Sequence, residues 1–262
     1  MGHSFKTILV ELDKKGILHI ILNRADKLNA LNALVLEELQ QVFTEAKKNS
    51  DIKALLITGS GKAFCAGADI KELAEANGHL GLDFAKRGQQ VFRELETLGK
   101  PSLAAVNGYA FGGGCELAMS ATMRIASEKA QFGQPEVKLG VIPGYGGTQR
   151  LARLVGKGRA LDLCITGRSI TAELALQWGL VTELTNADHL LMRAEEILSG
   201  IIAMAPLAVK AVIEVIDVGF DLPLPEALQL EALHFGNTCS TEDKREGTEA
   251  FLEKRAANFK GE

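Results

Sequence analysis

Strand and helix patterns alternate along the first part of this 262-residue chain, and that order restricts the fold more than any other feature. Short, mostly apolar runs, such as residues 53–58 and 102–106, are followed by segments with apolar residues at helical spacing. Residues 5–12 and 16–22 flank a Gly-containing turn and are predicted to form a β-hairpin. This order of elements predicts a fold of the α/β class.

The last part of the chain has a different pattern, because apolar residues there follow helical spacing only. We therefore predict one continuous domain in two parts: an α/β core over residues 1–185, which carries the site, and a helical region over residues 186–262. The predicted helices 187–203, 206–218 and 225–257 are amphipathic. Their apolar faces favour a role in oligomer formation.

Composition excludes several classes of protein. Hydrophobic residues make up 47% and charged residues 24% of the chain, which excludes wholesale disorder. The net charge of −4 disfavours bulk electrostatic binding to nucleic acid or to an anionic membrane. The four cysteines form no CxxC pair and the five histidines form no HExxH motif, so we predict a protein without a metal site. With no long apolar run, the sequence predicts a cytoplasmic protein.

Two glycine-rich segments between strand and helix patterns are the first candidates for a functional site. Residues 64–70 are Phe-Cys-Ala-Gly-Ala-Asp-Ile, and residues 112–117 are Gly-Gly-Gly-Cys-Glu-Leu. The first N–H groups of a helix lack a partner within it, small residues let a ligand atom approach them, and the helix dipole adds positive potential. Two such segments side by side would donate two N–H groups to one oxygen, which is an oxyanion hole.

Simpler interpretations of these glycines remain open at this point. Glycines at strand-to-helix junctions also serve only to make tight turns. Neither segment matches GxGxxG or GxxxxGK[ST], which disfavours a nucleotide site. The GxSxG pattern of serine hydrolases does not occur in the sequence.

Two glutamates are candidate proton-transfer groups. Glu116 lies in the first turn of a predicted helix, directly after three glycines, where an acidic residue could also serve only the helix dipole. Glu136 could be a surface acid, but the segment 139–144 that follows it is unusually apolar. Apolar surroundings raise the pKa of a carboxyl group, so that it can hold or deliver a proton near neutral pH.

Five blocks of this sequence resemble the enoyl-CoA hydratase (crotonase) family, and they occur in the family's order. Residues 62–72, 107–118 and 131–151 are similar to three signature segments of that family. Residues 23–30 and 245–255 match near the two ends, so the resemblance covers nearly the whole chain.

The resemblance implies a fold and a chemistry. The implied fold is a crotonase-like spiral of strand–strand–helix turns with a helical C-terminal extension. The backbone N–H groups of Ala68 and Gly113 would bind the thioester oxygen of an acyl-CoA. Glu116 would take a proton from water as it attacks C3 of a 2-trans-enoyl-CoA, and Glu136 would deliver a proton to C2, giving a 3-hydroxyacyl-CoA. No cofactor is implied, since CoA arrives as part of the substrate.

The resemblance also implies substrate contacts and an assembly. The implied substrate contacts are the backbone of Ala66, Gly67, Ala68, Asp69 and Ile70, which would line the adenine and pantetheine, and Lys71 near the phosphates. Phe251 and Lys254 match positions that in this family reach the adenine or phosphate region of a neighbouring subunit. The last two could equally be a core aromatic and a solvated charge. A homo-oligomer, either a trimer or a dimer of trimers, is implied. Tyr145 stands where relatives often have a smaller residue, and a large side chain there would shorten the acyl pocket.

Two other functions are weighed against hydration of a short enoyl-CoA in fatty-acid or related acyl-CoA metabolism. An enoyl-CoA isomerase of this family typically needs only the carboxylate at the Glu136 position, so the presence of both glutamates favours hydration. A non-catalytic RNA-binding member would need a basic stripe interleaved with aromatic residues. A net charge of −4 and 5% aromatic residues disfavour that interpretation.

Overall fold

The computed structural model describes residues 5–262, so residues 1–4 of the predicted core lie outside it. Its strands are β1 (Ile8–Leu12), β2 (Ile17–Leu22), β3 (Ala54–Gly59), β4 (Ala63–Cys65), β5 (Ser102–Val106), β6 (Tyr109–Phe111), β7 (Met123–Ser127), β8 (Gln131–Gly133), β9 (Ser169–Thr171) and β10 (Glu183–Thr185). Its α-helices are α1 (Ala33–Lys48), α2 (Ile70–Glu75), α3 (Gly78–Glu96), α4 (Gly113–Ser120), α5 (Gly147–Val155), α6 (Lys157–Thr166), α7 (Ala172–Gln177), α8 (Leu190–Ile202), α9 (Pro206–Gly219), α10 (Leu224–Cys239) and α11 (Glu242–Glu253).

The strands form two sheets. A six-stranded sheet has the order β1-β2-β3-β5-β7-β10, in which β1 and β2 form the predicted antiparallel hairpin and all other neighbours are parallel. A smaller sheet has the order β4-β6-β8-β9, and only β9 runs antiparallel to its neighbour. Consecutive strands alternate between the sheets, as β3 then β4, β5 then β6, and β7 then β8. A helix follows each pair, so the chain winds as a spiral of strand–strand–helix turns, which confirms the predicted fold.

The central strands of the larger sheet are covered on both faces. Leu55 and Ile57 of β3 point into the main core, whereas Ala54 and Leu56 point to the opposite face. That second face is covered by α8, through Leu190, Ala194 and Leu198. Strands buried on both faces are expected to be continuously apolar, as this one is. The first long helix of the predicted C-terminal region therefore packs as part of the core.

Local sequence explains where several helices begin. The side chain of Asn32 accepts a hydrogen bond from the N–H of Val35 at 3.0 Å and caps α1. Thr241 caps α11 in the same way, accepting from the N–H of Lys244 at 3.1 Å. The predicted single helix over residues 225–257 is therefore wrong, because the chain breaks before Thr241 and continues as a second helix.

Helices α9 and α10 leave large apolar side chains exposed. The side chains that are more than half exposed there are Val212, Ile216, Leu224, Leu228, Leu233 and Phe235. Within residues 5–262, no helix is both long enough and apolar enough to cross a membrane.

Candidate active site

Three loops meet at one edge of the smaller sheet. Strands β4, β6 and β8 are parallel neighbours, so their carboxyl ends lie at the same edge. The segments that follow them are residues 66–69, residues 112–116 and residues 134–136. The sheet thereby brings together both glycine-rich segments and both candidate glutamates.

The two predicted backbone donors lie side by side. A Cβ on Gly113 would be 3.3 Å from the nitrogen of Ala68, and a Cβ on Gly67 would be 3.8 Å from the nitrogen of Gly113. Gly113 is the first residue of α4, so its N–H has no partner within the helix. Among the described residues, neither this N–H nor that of Ala68 donates to a recorded acceptor. Both amides can therefore donate to the same ligand oxygen.

Two neighbouring glycines allow this close packing. Gly114 faces the backbone of β4, where any side chain would overlap the carbonyl of Cys65. Gly112 has φ +49°, and a Cβ there would lie 2.7 Å from Oε1 of Glu136. A residue with a side chain at either position would separate α4 from the sheet or displace the Glu136 carboxyl group.

Glu116 is held by two backbone donors from the loop that precedes α5. Its side chain is buried, and its Oε1 accepts hydrogen bonds from the N–H groups of Tyr145, at 2.8 Å, and Gly147, at 2.6 Å. Both donors bind the same oxygen. They fix the orientation of the carboxyl group and leave Oε2 without a recorded hydrogen bond among the described residues.

Glu136 begins a short 3-10 turn after β8 and is held from the side by an amide. With the buried Gln134 amide oriented to satisfy its hydrogen bonds, its NH2 group donates to Oε1 of Glu136 at 3.0 Å and to Oε2 at 3.2 Å. The segment between β8 and Glu136 thus supplies both the carboxyl group and the donor that orients it.

Burial sets the protonation of the two carboxyl groups. Loss of solvent raises the pKa of Glu116 to about 8, with the nearby charge of Glu136 adding to the effect. Burial likewise raises the pKa of Glu136 to about 7. The pair can therefore hold one proton between its members near neutral pH.

One cavity of about 730 Å³ contains the donors and both carboxyl groups. The predicted site residues that line it are Ala66, Gly67, Ala68, Ile70, Gly113, Glu116 and Glu136. Large apolar side chains also line it, namely Leu73, Phe84, Leu139, Val141 and Ile142. A polar site with apolar walls suits an acyl group attached to a reactive carbonyl.

Four predicted substrate contacts lie elsewhere. Asp69 caps α2 through the N–H of Lys71 at 3.1 Å and pairs with Arg24 at 3.2 Å. Lys71 is exposed and does not line the cavity. Phe251 is 82% exposed near the end of α11, and Lys254 follows that helix. Within one chain, these four side chains are not part of the cavity.

Tyr145 forms one wall of the cavity and packs on α3. Its ring lies 5.2 Å from that of Phe84 and 5.6 Å from that of Phe92, measured between centroids. A side chain at Gly88 would overlap Cγ and Cδ1 of this ring. The large residue at position 145 is therefore accommodated by the absence of a side chain at position 88.

We expect Gly88→Ala to lower the free energy of unfolding by about 1–3 kcal/mol, because the added methyl group must displace the Tyr145 ring. Gly81→Ala, on the same helix with open space around it, is the matched control. It should raise the free energy of unfolding by about 0.5–1 kcal/mol, through helix propensity. Urea unfolding of the three proteins measures both effects, and equal changes in the two variants would contradict the packing described here.

The raised pKa values also predict how stability depends on pH. The folded state keeps a proton on Glu116 up to about pH 8, whereas the unfolded state releases it near the ordinary value of 4.5. The free energy of unfolding of the native chain therefore falls as pH rises through this window. Glu116→Gln removes this titration, so its stability relative to the native chain should increase steadily from about pH 5 to about pH 9. Urea unfolding across that range tests this, and a constant difference would contradict it.

Comparison with known proteins agrees with this geometry. Residues 13–262 match the enoyl-CoA hydratase/isomerase family. The chain belongs to that family. A short-chain-enoyl-CoA hydratase of Clostridium acetobutylicum is 47% identical, over 94% of this chain and 95% of the relative. A crotonyl-CoA hydratase of Syntrophomonas wolfei is 43% identical, over 98% of each. The crystal structure of an enoyl-CoA hydratase from Bacillus anthracis superposes with a TM-score of 0.94 at 40% identity, covering 98% of this chain and 100% of that one.

Sequence reasoning missed several groups of this family member's site. Gln134 lies in one of the matched segments, and an amide side chain two residues before a candidate acid is a usable signal in the sequence; its burial is visible only in the structure. No sequence pattern indicates that the N–H groups of Tyr145 and Gly147 bind Glu116; the sequence shows only a third glycine-rich segment, residues 144–147.

Proposed function

We propose that the chain is an enoyl-CoA hydratase, which adds water reversibly to a short 2-trans-enoyl-CoA and gives a 3-hydroxyacyl-CoA. The observation that carries the proposal is the presence of a buried carboxyl group, a half-buried one and two adjacent free backbone N–H groups in one cavity. Carbonyl activation and two proton transfers require those groups.

The N–H groups of Ala68 and Gly113 would bind the thioester oxygen. As the oxygen of water attacks C3, electrons move through C2 into the thioester carbonyl, and negative charge develops on its oxygen. Fixed donors aimed at that oxygen stabilise the transition state more than the ground state, typically by about 10²–10³ in rate for each donor. The position of Gly113 at the start of α4 adds the favourable end of a helix dipole.

Glu116 and Glu136 would divide the proton transfers between them. Two backbone donors on Oε1 favour the ionised form of Glu116, which suits a base that takes a proton from water through its free Oε2. Although burial raises the pKa of Glu116 above that of Glu136, the two carboxyl groups share one proton, and in the reactive arrangement that proton lies on Glu136, which delivers it to C2. The net result is addition of H and OH across the double bond, with no proton left over and no further cofactor in the reaction.

The relatives support the choice of substrate. The Clostridium relative is named a short-chain enzyme and the Syntrophomonas relative acts on crotonyl-CoA, as its name states. We therefore propose a short acyl chain, in fatty-acid or related acyl-CoA metabolism. The wall formed by Tyr145 and Phe84 is in keeping with an acyl pocket of limited length.

The test is hydration of a short 2-trans-enoyl-CoA, followed by the loss of absorbance of the conjugated thioester. We expect steady turnover without added cofactors, and the 3-hydroxyacyl-CoA as product. A 3-enoyl-CoA of the same length serves as the second substrate. Isomerisation of that compound without any hydration of the 2-enoyl isomer would overturn the proposal in favour of an isomerase.

We also propose a cytoplasmic homo-oligomer, a trimer or a dimer of trimers, built through the C-terminal helices. The exposed apolar side chains of α9 and α10 support this, because such faces are usually covered by a partner. The positions of Phe251 and Lys254, outside the cavity of their own chain, agree with contact to the substrate of a neighbouring subunit. Equilibrium sedimentation of the purified protein would give its subunit number.

A further inference from the structure

Arg150 of α5 binds the segment that holds Glu116, on the side away from the cavity. Its guanidinium donates from Nη1 to the carbonyl oxygen of Tyr145 at 2.7 Å. The Nε and Nη2 groups donate to the two carboxylate oxygens of Glu96, and the Nη2–Oε2 distance is 2.9 Å. The side chains of Arg150 and Glu96 are only 16% and 18% exposed, so this pair is more strongly fixed than an ordinary surface ion pair.

The Tyr145 residue links Arg150 to Glu116. Its carbonyl accepts from Arg150, while its N–H donates to Oε1 of Glu116 at 2.8 Å. The guanidinium also lies directly against Gly146, and Gly147 donates the second hydrogen bond to Glu116. Residues 145–147 are thus held between the guanidinium and the carboxyl group whose orientation they set.

The anchor of Arg150 extends to the C-terminal helices. Glu96 also accepts from Arg93 at 3.3 Å, one turn earlier on α3. Arg93 in turn forms a bidentate ion pair with Asp217 of α9, with Nη1–Oδ1 and Nη2–Oδ2 distances of 2.8 and 2.7 Å. The position of Arg150 is therefore fixed by the end of α3 and, through Arg93, by α9, with side chains that do not themselves line the cavity.

We infer that Arg150 is a positioning residue for the reaction: with Glu96 it holds residues 145–147 so that their two N–H groups stay aimed at Glu116. This inference rests on the proposed function. Arg150 itself does not line the cavity and acts only through the loop.

The charges around Glu116 determine in which direction its pKa changes when Arg150 is removed. Glu136 raises the pKa of Glu116, whereas the positive charge of Arg150 and the two N–H donors lower it. The other titratable groups that interact with Glu116 are the Tyr145 phenol and the thiols of Cys65, Cys115 and Cys164. Burial raises the pKa of all four groups, which keeps them uncharged near neutral pH. Arg150 is the positive charge that acts on Glu116.

Arg150→Met, Arg150→Lys and a control, Arg153→Met, test the inference. Arg153 lies one turn further along α5 and pairs with the exposed Asp221. We expect Arg150→Met to lower kcat about 10- to 100-fold with KM changed less than about 3-fold, because the loss lies in orientation rather than binding. The acidic limb of its kcat–pH profile should move to higher pH, since Glu116 loses both a cation and ordered donors. Arg153→Met should match the native chain in both respects.

Arg150→Lys separates charge from geometry and covers the case in which the methionine variant does not fold. A lysine keeps the charge but cannot bind Glu96 and the Tyr145 carbonyl together in the same plane, so we expect an intermediate loss of kcat. Native kcat and pH profile in a folded Arg150→Met or Arg150→Lys protein would overturn the inference. Carbon-13 NMR titration of Glu116 in the free protein gives the same answer without turnover. A pKa that rises in Arg150→Met supports the inference even if the native chain lacks hydratase activity, and an unchanged pKa overturns it.

Discussion

Glu116→Gln is expected to lower the turnover of a short 2-trans-enoyl-CoA by about 10²–10⁴-fold, the usual contribution of a positioned general base. The glutamine oxygen can still accept the hydrogen bonds of Tyr145 and Gly147, so the loop and the cavity should keep their shape. The amide cannot take a proton from water. The loss should therefore fall on kcat, with KM little changed.

Glu38→Gln is the matched control for this variant, because Glu38 is another buried glutamate held by backbone donors. It accepts from the N–H groups of Lys6, at 2.7 Å, and Thr7, at 2.9 Å, and does not line the cavity. Its kcat per folded molecule should equal that of the native chain. Native turnover in Glu116→Gln would remove Glu116 from the mechanism.

Gly113→Pro is expected to lower kcat/KM by about 10²–10³-fold, because it deletes one of the two N–H donors proposed to bind the thioester oxygen. The first position of a helix tolerates proline, since the missing N–H has no helical partner there. The variant should therefore keep α4 and bind the CoA portion of the substrate. Steady-state kinetics with a short 2-trans-enoyl-CoA measure the loss.

Gly113→Ala controls for the added side chain, because it keeps the N–H group. Its Cβ would lie 3.1 Å from Cδ2 of Tyr145 and 3.3 Å from the Ala68 nitrogen, a tight contact that a proline shares. We expect the alanine variant to lose far less activity than the proline variant. Equal losses would show that crowding, rather than the missing donor, explains the result.

The fold was predictable because its long elements carry strong patterns. Strand β5 begins and ends at the predicted residues, and β1 and β2 form the predicted hairpin. The three-residue strands β4, β6, β8 and β9 were missed, since so few residues show no periodicity. The apolar residues of the segment 180–184 predict a strand there, but the ladder with β7 begins only at Glu183. Pairing with a neighbouring strand, rather than local propensity, sets that boundary.

The candidate site was predictable in part for a related reason. Both glutamates and both donors follow short motifs, so their positions could be named from the sequence by resemblance. The groups that orient them could not be read from the sequence. Gln134 orients Glu136 through the direction of its amide, and Arg150 acts on Glu116 through the carbonyl of a residue five positions earlier. Hydrogen bonds of this kind depend on backbone direction, which no local sequence pattern encodes.

The small sheet that joins the three loops separates two tasks that an enzyme could evolve independently. The donors proposed for the thioester oxygen come from the ends of β4 and β6, whereas Glu136 follows β8 and Glu116 lies one turn further along, in α4. Replacing the acid at position 116 or 136 would therefore change the proton transfers without displacing the two N–H groups proposed to bind the carbonyl oxygen. New reactions on acyl-CoA substrates could arise on this scaffold through single side-chain changes that leave its backbone untouched.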